Sequence, residues 1–525
     1  MKMRRAWAGV AAVAAAALVG ALGAAPVSAY AETVTVKTAD ELATAINAGN
    51  DVVLGDNITA SVTVPADKTV TIDLGGHTLT NEAGKHTITN NGTLTITGAG
   101  TVDNVSHGKA TLFNDGTATI AGGTFTRSAE AGAAGTANGN SWYVVCNNTG
   151  TLNMTGGMVS GTSGFSSCLI NRDNGTMNFS GGTIEQPDMI ALKNEGTLNM
   201  TGGSAVSPND SGLQNWGRAT VSAGTIDGTL SNFSYDNTNP GVLDLVGGTV
   251  TGDISVVKYN DGKGTVASVA PSVSISGTAK VGGEISATEG GAVSPSKNQY
   301  TPEMDESTKI SGGTFDSLTV LNYLADSSAV VKTADGYAVK SEEDAKAGSF
   351  AEVVLDGTTT IYFDDVDEAK DFAKEAGLTE DDVKVTKYLV TFVANSQTVE
   401  VRVVVAGDAL GALPEAGEYE GYTFDGWYVD VTEGADGFAD GTKIDETYKP
   451  TGDVTVTAMW TENAPSAPST PSTPAAGSTD AQPAEAPKKA LPQTGDTTNA
   501  ALPVAIAIAG IVVIAAAVAL RKRHN

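Results

Sequence analysis

The chain has 525 residues, a formal net charge of −29 and two cysteines, with 62 glycines and 6% aromatic residues. The negative charge disfavours binding to nucleic acids and to anionic lipid surfaces. Two cysteines cannot form a disulfide scaffold and show no metal-type spacing, so we expect neither a metal ion nor another cofactor. Many glycines and few aromatics favour a mainly β, turn-rich protein.

Residues 1–31 predict a secretory signal peptide. Lys2, Arg4 and Arg5 precede an apolar core, and small residues at Ala29 and Ala31 predict cleavage after Ala31. We therefore expect the chain to be exported.

A short sequence, GTLNMTGG, occurs at Gly150–Gly157 and again at Gly196–Gly203. It belongs to a looser repeat of 21 to 34 residues whose first glycines are Gly92, Gly116, Gly150, Gly175, Gly196, Gly217 and Gly241. The second and fourth residues after each glycine are apolar and the third is polar, as in a strand with one buried face. Such a repeat predicts a solenoid.

A polar residue, in most coils asparagine, stands two residues before each glycine. Asp173 holds this position in one coil, and the asparagines are Asn90, Asn114, Asn148, Asn194, Asn215 and Asn239. A side-chain amide at one turn of every coil can form hydrogen bonds along the solenoid axis, and asparagine tolerates left-handed turn conformations. Each repeat is therefore predicted to be one coil of a parallel β-helix with an asparagine ladder at a corner.

These coils resemble right-handed parallel β-helix proteins of the pectate-lyase-like superfamily. The segment TADELATAIN (Thr38–Asn47) is similar to their N-terminal capping helix, with Thr38 as N-cap and Glu41 at the capping-box position. The segment VTIDLGGHTLT (Val70–Thr80) is similar to one of their early coils. The resemblance implies a β-helix over residues 32–333.

Enzymes of that superfamily carry acidic pairs, or basic residues with calcium-binding aspartates, on the outer face of one sheet. The outward positions of the repeated strand are mostly threonine, serine and asparagine. No pair of carboxylates aligns there for glycoside hydrolysis. We therefore assign no catalytic residue and expect the chain not to be an enzyme, although a site assembled from loops remains an alternative.

The longest insertion, at Arg127–Tyr143, predicts a loop of the kind that often forms the binding face of a repeat protein. It ends in Trp142 and Tyr143, and Trp216 occupies a turn in a later coil. Exposed aromatic rings can stack on sugars, so these three residues are candidate ligand-binding residues. The alternative is that the rings only cover the end of a coil.

The two cysteines are expected to be free thiols. Counted from the neighbouring ladder asparagines, Cys146 is predicted to face the interior and Cys168 the opposite side of its sheet. Side chains on opposite faces cannot form a disulfide without a change of register.

Two further modules follow the solenoid. Residues 334–387 predict a small α/β module, in which Phe363–Gly377 has apolar residues at helical spacing. Residues 388–462 resemble the B-repeat of internalin-type surface proteins through GYTFDGW (Gly421–Trp427) and VTAMW (Val456–Trp460). This resemblance implies a β-grasp-like domain with Phe424, Trp427 and Trp460 in its core.

Residues 463–490 are rich in Pro, Ser and Thr and predict an extended spacer. Residues 491–525 begin with LPQTG (Leu491, Pro492, Gln493, Thr494, Gly495) and continue with an apolar span and a basic tail. This order resembles the sorting signal of Gram-positive surface proteins. It implies cleavage by a sortase after Thr494 and covalent transfer of Thr494 to a peptidoglycan precursor, with only a transient stay of the apolar span in the membrane.

These features together predict an extracellular protein anchored to a Gram-positive cell wall. The leading hypothesis is an adhesin or binding protein for glycans or glycoproteins. The alternatives are a polysaccharide lyase or glycoside hydrolase on the same β-helix, and a structural coat protein without a ligand.

Overall fold

The computed structural model describes residues 32–128, 143–161, 167–235, 240–291, 299, 301–433, 439–463 and 489–490. Several sequence predictions lie outside these residues: the signal peptide with Ala31, Trp142, Asn239, residues 464–488 of the spacer predicted at 463–490, and the sorting signal at 491–525. No helix in the described ranges is long and apolar enough to cross a membrane.

The helix Ala39–Ala48 covers the first coil of the solenoid. The Oγ1 of Thr38 accepts a hydrogen bond from the backbone N–H of Glu41 at 3.3 Å, and the Glu41 carboxylate accepts one from the N–H of Thr38 at 3.2 Å. The predicted capping box is therefore confirmed. Leu42 and Ile46 on the inner face of the helix are buried in the solenoid core, which closes this end against water.

The protein is mainly β, as predicted, and its long N-terminal part is built from parallel strands that stack coil upon coil in three sheets. The first sheet contains Thr33–Val36, Asp51–Leu54, Thr69–Asp73, Thr93–Thr97, Thr117–Ile120, Val242–Leu245, Ser272–Ile275 and Thr308–Ile310. The second contains Ile58–Thr59, Thr78–Thr80, Thr101–Asp103, Thr124–Thr126, Thr249–Val250, Lys280–Val281 and Thr314–Phe315. The third contains Val62–Val64, Ile88–Asn90, Leu112–Asn114, Val145–Asn147, Leu169–Asn171, Leu192–Asn194, Ile254–Tyr259 and Ile285–Gly290.

Four longer strands run around the corners between these sheets. Thr151–Ser160 and Thr176–Glu185 join the first sheet to the second, whereas Thr197–Asn215 and Arg218–Ser234 take part in all three. Equivalent residues of neighbouring coils lie side by side, so that Leu152 pairs with Met177 and Met177 with Leu198. These apolar side chains are fully buried, and each coil therefore extends one continuous core.

Steric limits explain the glycines of the repeated GTLNMTGG. A Cβ atom on Gly196 would lie 2.3 Å from the carbonyl oxygen of Gly175 in the preceding coil, and Gly203 has a φ of +76°. Between them, Asn199 donates a hydrogen bond from Nδ2 to Oδ1 of Asn178 at 3.0 Å on the outer face. The repeat therefore encodes the close approach of two coils and the corner that follows.

A chain of buried asparagines runs along the solenoid axis. In all but the last, Nδ2 donates a hydrogen bond to Oδ1 of the asparagine in the next coil, at 2.7 to 2.8 Å. The same nitrogen also donates to backbone carbonyl oxygens at the corner, as Asn215 does to Gly217. The last, Asn232, donates to the backbone carbonyl oxygens of Gly241 and Ser272. The ladder, with every side chain fully buried, consists of Asn90, Asn114, Asn147, Asn171, Asn194, Asn215 and Asn232.

In three coils the ladder residue differs from the predicted one: Asn147 in place of Asn148, Asn171 in place of Asp173, and Asn232 in place of Asn239. The prediction assumed a constant distance of two residues between the asparagine and the following glycine. In these coils the corner turn is longer, which moves the ladder position upstream. Asn148 is only half-buried and donates to a carboxylate oxygen of Asp115 at 2.8 Å.

The strands after the last coil continue the solenoid instead of forming a separate core. Phe315 of the second sheet pairs with Tyr337 in antiparallel fashion, and the core is continuous from Val36 to Ala373. The strands of this region are Ser328–Thr333, Gly336–Ser341, Ala351–Val354, Thr360–Phe363 and Val383–Val385. Its α-helices are Glu342–Gly348 and Val366–Glu375, and its 3-10 helices are Leu318–Tyr323 and Glu380–Asp382. A short α-helix, Pro302–Glu306, precedes the region.

The C-terminal domain is a mixed sheet with its own core. Its strands, in spatial order, are Gln397–Val405, Lys387–Ala394, Val454–Glu462, Tyr422–Glu433 and Ala439–Ile444, and the short strand Lys489–Ala490 pairs with Val454–Glu462. The second and third strands are parallel and the other neighbours antiparallel. Trp427 and Trp460 are each 2% exposed, as expected of core residues, whereas Phe424 is 38% exposed and the prediction that it belongs to the core is wrong.

The ladder predicts that substitution of two adjacent asparagines, Asn147 and Asn148, lowers the stability of the fold by different amounts. Replacing Asn147 by Ala leaves the amides of Asn114 and Asn171 without one partner each in the interior, so we expect a loss of about 2–3 kcal/mol in the free energy of unfolding. The control Asn148→Ala removes one half-buried bond to Asp115 and should cost less than about 1 kcal/mol. Urea unfolding of both variants measures the difference. Equal losses would contradict the ladder assignment.

Candidate ligand-binding surface

Four aromatic rings meet where strands of the third sheet end. The centroid of Trp216 lies 4.8 Å from that of Phe233 and 5.2 Å from that of Tyr235, and Tyr259 lies 4.7 Å from Tyr235. We call these four residues the aromatic surface. It combines Trp216, one of the candidates from the sequence, with three residues that sequence reasoning missed.

The register of the coils places these rings in a row. Ser234 pairs with Lys258, so the next residues, Tyr235 and Tyr259, come side by side in consecutive coils. Strands in a sheet are about 4.8 Å apart, which is also close to the spacing of stacked rings. Tyr235 is 41% exposed and Phe233 only 3%, so that Phe233 forms the floor of the surface.

Polar neighbours hold Trp216 in one orientation. Its indole N–H donates a hydrogen bond to the side-chain oxygen of Gln214 at 2.9 Å. The ammonium group of Lys193 lies 4.2 Å from the Trp216 ring centroid, within the range of a cation–π interaction, and forms an ion pair with Glu195 at 2.7 Å. The ring is thus fixed before any ligand arrives, which lowers the entropic cost of binding.

A small open cavity of about 270 Å³ adjoins this surface. It is lined by Asp173, Glu195, Gly196, Thr197, Gly217, Arg218, Pro240 and Val242. Two of these residues are neighbours of Trp216 or of its contacts: Gly217 follows Trp216 in the chain, and Glu195 pairs with Lys193. Carboxylate oxygens, one hydroxyl and a guanidinium are therefore available to hydrogen-bond a ligand that lies on the rings.

The second sequence candidate, Tyr143, lies two residues before the strand Val145–Asn147 of the third sheet. Its ring is partly buried against a small outer cluster of Ala110, Cys146 and Ile170. Burial, together with the negative charge of Glu195, raises the pKa of the Tyr143 hydroxyl to about 12. Glu195, whose charge acts on Tyr143, pairs with Lys193 beside Trp216, while Trp142 lies outside the described residues.

As predicted, the two thiols face opposite sides of the sheet, but the prediction that Cys146 is the one facing the interior is wrong. Cys168 is in the main core of the solenoid, whereas Cys146 belongs to the outer cluster beneath Tyr143. For Cys146 the error follows from the shifted ladder position, because Asn147 and not Asn148 points inward. Cys168 precedes the strand Leu169–Asn171 and does not follow its alternation, since Cys168 and Leu169 are both in the main core. Both cysteines are free and fully buried. Burial raises the pKa of Cys146 to about 11, although a hydrogen bond with Arg172 opposes this, and burial raises that of Cys168 still further.

Metal-binding side chains do not converge anywhere in the ranges that the structure describes: no group of three or more His, Cys, Asp or Glu could hold an ion there. His86 stacks on Phe113, with ring centroids 4.8 Å apart, and its Nδ1 accepts a hydrogen bond from the backbone N–H of Ala110 at 2.9 Å. Burial lowers the pKa of His86 below its ordinary value, which favours the neutral form. These contacts give His86 a packing role in the third sheet.

Comparison with known proteins identifies one domain. Residues 388–459 match the Listeria-Bacteroides repeat domain, which is typical of extracellular surface proteins. No curated protein and no solved structure matches the chain. The resemblance of the C-terminal domain to a B-repeat is therefore confirmed.

The burial of both cysteines predicts their reactivity. At pH 8 we expect the native protein to show no fast reaction with a thiol reagent such as DTNB, because neither sulfur is exposed and both pKa values are raised. In guanidinium chloride two thiols should react. A fast native reaction that Cys146→Ser abolishes would contradict the position of Cys146 beneath Tyr143, and the absence of reaction in denaturant would indicate a disulfide.

Proposed function

We propose that this chain is a surface protein of a Gram-positive cell wall that binds neutral glycans, free or carried by glycoproteins, on its aromatic surface. The observation that supports this most directly is the row of rings at Trp216, Tyr235 and Tyr259 above the buried Phe233. Such rings offer flat apolar faces to the C–H faces of sugars. At the coil spacing the row extends for about 10 Å, the length of a short oligosaccharide.

The polar groups around the rings suit sugar hydroxyls. Glu195, Asp173 and Gln214 supply acceptors, while Lys193 and Arg218 supply donors. A net charge of −29 disfavours long anionic polysaccharides. Neutral sugars therefore fit this surface better than acidic ones.

The proposed location rests on two independent features. The Listeria-Bacteroides repeat domain is typical of extracellular surface proteins. The sequence LPQTG, followed by an apolar span and a basic tail, resembles a sortase signal that joins Thr494 to the peptidoglycan precursor. In this proposal the Pro-rich spacer carries the repeat domain and the solenoid away from the wall.

We favour binding without catalysis. Glycoside hydrolysis needs a protonated carboxyl as general acid and a second carboxylate across the scissile bond. Beside the rings, the carboxylate of Glu195 is engaged in an ion pair with Lys193 at 2.7 Å. A lyase, a hydrolase and a coat protein without a ligand remain alternatives, and the following experiment distinguishes them.

A glycan array probed with the chain from Glu32 to Ala490 tests binding, and assay of the same glycans for released sugar tests catalysis. We expect retention without release, and we expect Trp216→Ala and Tyr235→Ala each to weaken binding by roughly tenfold or more, because each removes one ring of the aromatic surface. The control Phe424→Ala truncates an exposed ring of the repeat domain and should bind like the parent.

Sugar release would replace the proposal by an enzymatic one. Absence of both retention and release would favour a coat protein. Equal binding by Trp216→Ala and the parent would move the ligand site away from the aromatic surface. Thermal unfolding of each variant verifies that the solenoid remains folded.

Wall attachment has its own test. In a sortase-bearing Gram-positive host we expect the parent to fractionate with the cell wall and to be released by muralytic digestion. Thr494→Ala removes the threonine side chain of the LPQTG motif by which a sortase would recognise the cleavage site, so this variant should shift to the membrane fraction and the medium. The control Thr498→Ala, outside the motif, should remain in the wall. Retention of Thr494→Ala in the wall would overturn the proposed linkage.

A further inference from the structure

One strand of the repeat domain exposes a row of valines. On Gln397–Val405, the side chains of Val401, Val403 and Val405 are 55%, 52% and 53% exposed, and Val399, next to an irregularity in the strand pairing, is 42% exposed. Valine favours strands because its branched side chain packs against a neighbouring strand. Several such residues on one exposed strand indicate a surface that is covered in use.

The strand is also at the edge of its sheet. It pairs with Lys387–Ala394 on one side, and among the described residues no strand pairs with it on the other. An edge strand offers unpaired backbone N–H and C=O groups to another strand. The hydrophobic row and the open backbone edge are therefore on the same nine-residue segment.

The charges on the inner face of this strand favour one partner. Glu400 and Arg402 lie on either side of Val401, and their side chains form an ion pair at 2.7 Å. In an antiparallel pair of two identical strands centred on Val401, Glu400 of each copy would face Arg402 of the other. Centring one residue earlier or later would instead put Glu400 opposite Glu400 or Arg402 opposite Arg402, which is unfavourable.

We propose that Gln397–Val405 pairs with the same strand of a second copy of this chain, antiparallel and centred on Val401, and so joins two repeat domains into one continuous sheet. The valines of both copies then pack side by side on one face, and Glu400 and Arg402 alternate across the two-fold axis on the other. The spacer at 464–488 is a poorer occupant, because it is rich in Pro, which cannot donate a ladder hydrogen bond, and lacks an alternating apolar pattern.

A single strand pair is a small interface, so the dimer is weak in solution. Tethering many copies to one surface raises their effective concentration and favours the pairing. The pairing itself depends on the repeat domain alone and is independent of glycan binding, whereas its strengthening by tethering rests on the proposed wall attachment.

Cysteine cross-linking tests both the partner and the register in the chain from Glu32 to Ala490. In the proposed pair the two copies of residue 401 face each other, within reach of a disulfide, whereas the two copies of residue 405 are about 27 Å apart at 3.4 Å per residue. Under mild oxidation we expect Val401→Cys to form a disulfide dimer and the matched control Val405→Cys to remain largely monomeric. The buried Cys146 and Cys168 do not compete in the folded protein.

A second variant tests the association without cross-linking. Val401→Lys places two ammonium groups opposite each other and should raise the Kd of the dimer, measured by sedimentation over a concentration series, by roughly tenfold or more. Val266→Lys makes the same change at a valine of the solenoid that is 47% exposed and should leave the Kd unchanged. A parent chain that stays monomeric at all concentrations, or equal cross-linking at residues 401 and 405, would overturn the proposal.

Discussion

The chain of buried amides along the solenoid is the interaction on which the arrangement of the coils depends. An apolar core by itself tolerates a slip of one coil against the next, because any apolar side chain can fill the interior. A buried amide does not, because each unpaired donor or acceptor in the interior costs about 1–3 kcal/mol. The ladder from Asn90 to Asn232 therefore sets the register of every coil that it crosses.

The side chains on the outer surface follow the same register. Side chains at equivalent positions of successive coils form rows parallel to the axis, and the spacing of strands in a sheet is also a good stacking distance for rings. Tyr235 and Tyr259 are neighbours for this reason alone, although 24 residues separate them in the chain. A ligand surface on such a solenoid is produced by the same constraint that holds the core.

The repeat domain follows different rules. Its mixed sheet has a separate core around Phe392, Trp427 and Trp460, and it ends in an open edge strand. A β-helix has no lateral edges along its coils, since every strand pairs above and below, and here the helix Ala39–Ala48 and the strands after Thr314–Phe315 close its two ends. The open edge strand Gln397–Val405 belongs to the domain whose family is typical of surface proteins.

Local patterns in the sequence determined much of the fold: the parallel coils, their inward apolar residues, the capping box at Thr38 and Glu41, the helix Val366–Glu375 and the repeat domain. Each of these depends on residues that are close in the chain, or on a motif repeated at nearly constant spacing. The tertiary structure alone decided which asparagine joins the ladder, which thiol faces the core, and that Phe233, Tyr235 and Tyr259 surround Trp216. These depend on the lengths of corner turns, which shift the register between coils by one or more residues and which no periodicity in the sequence reports.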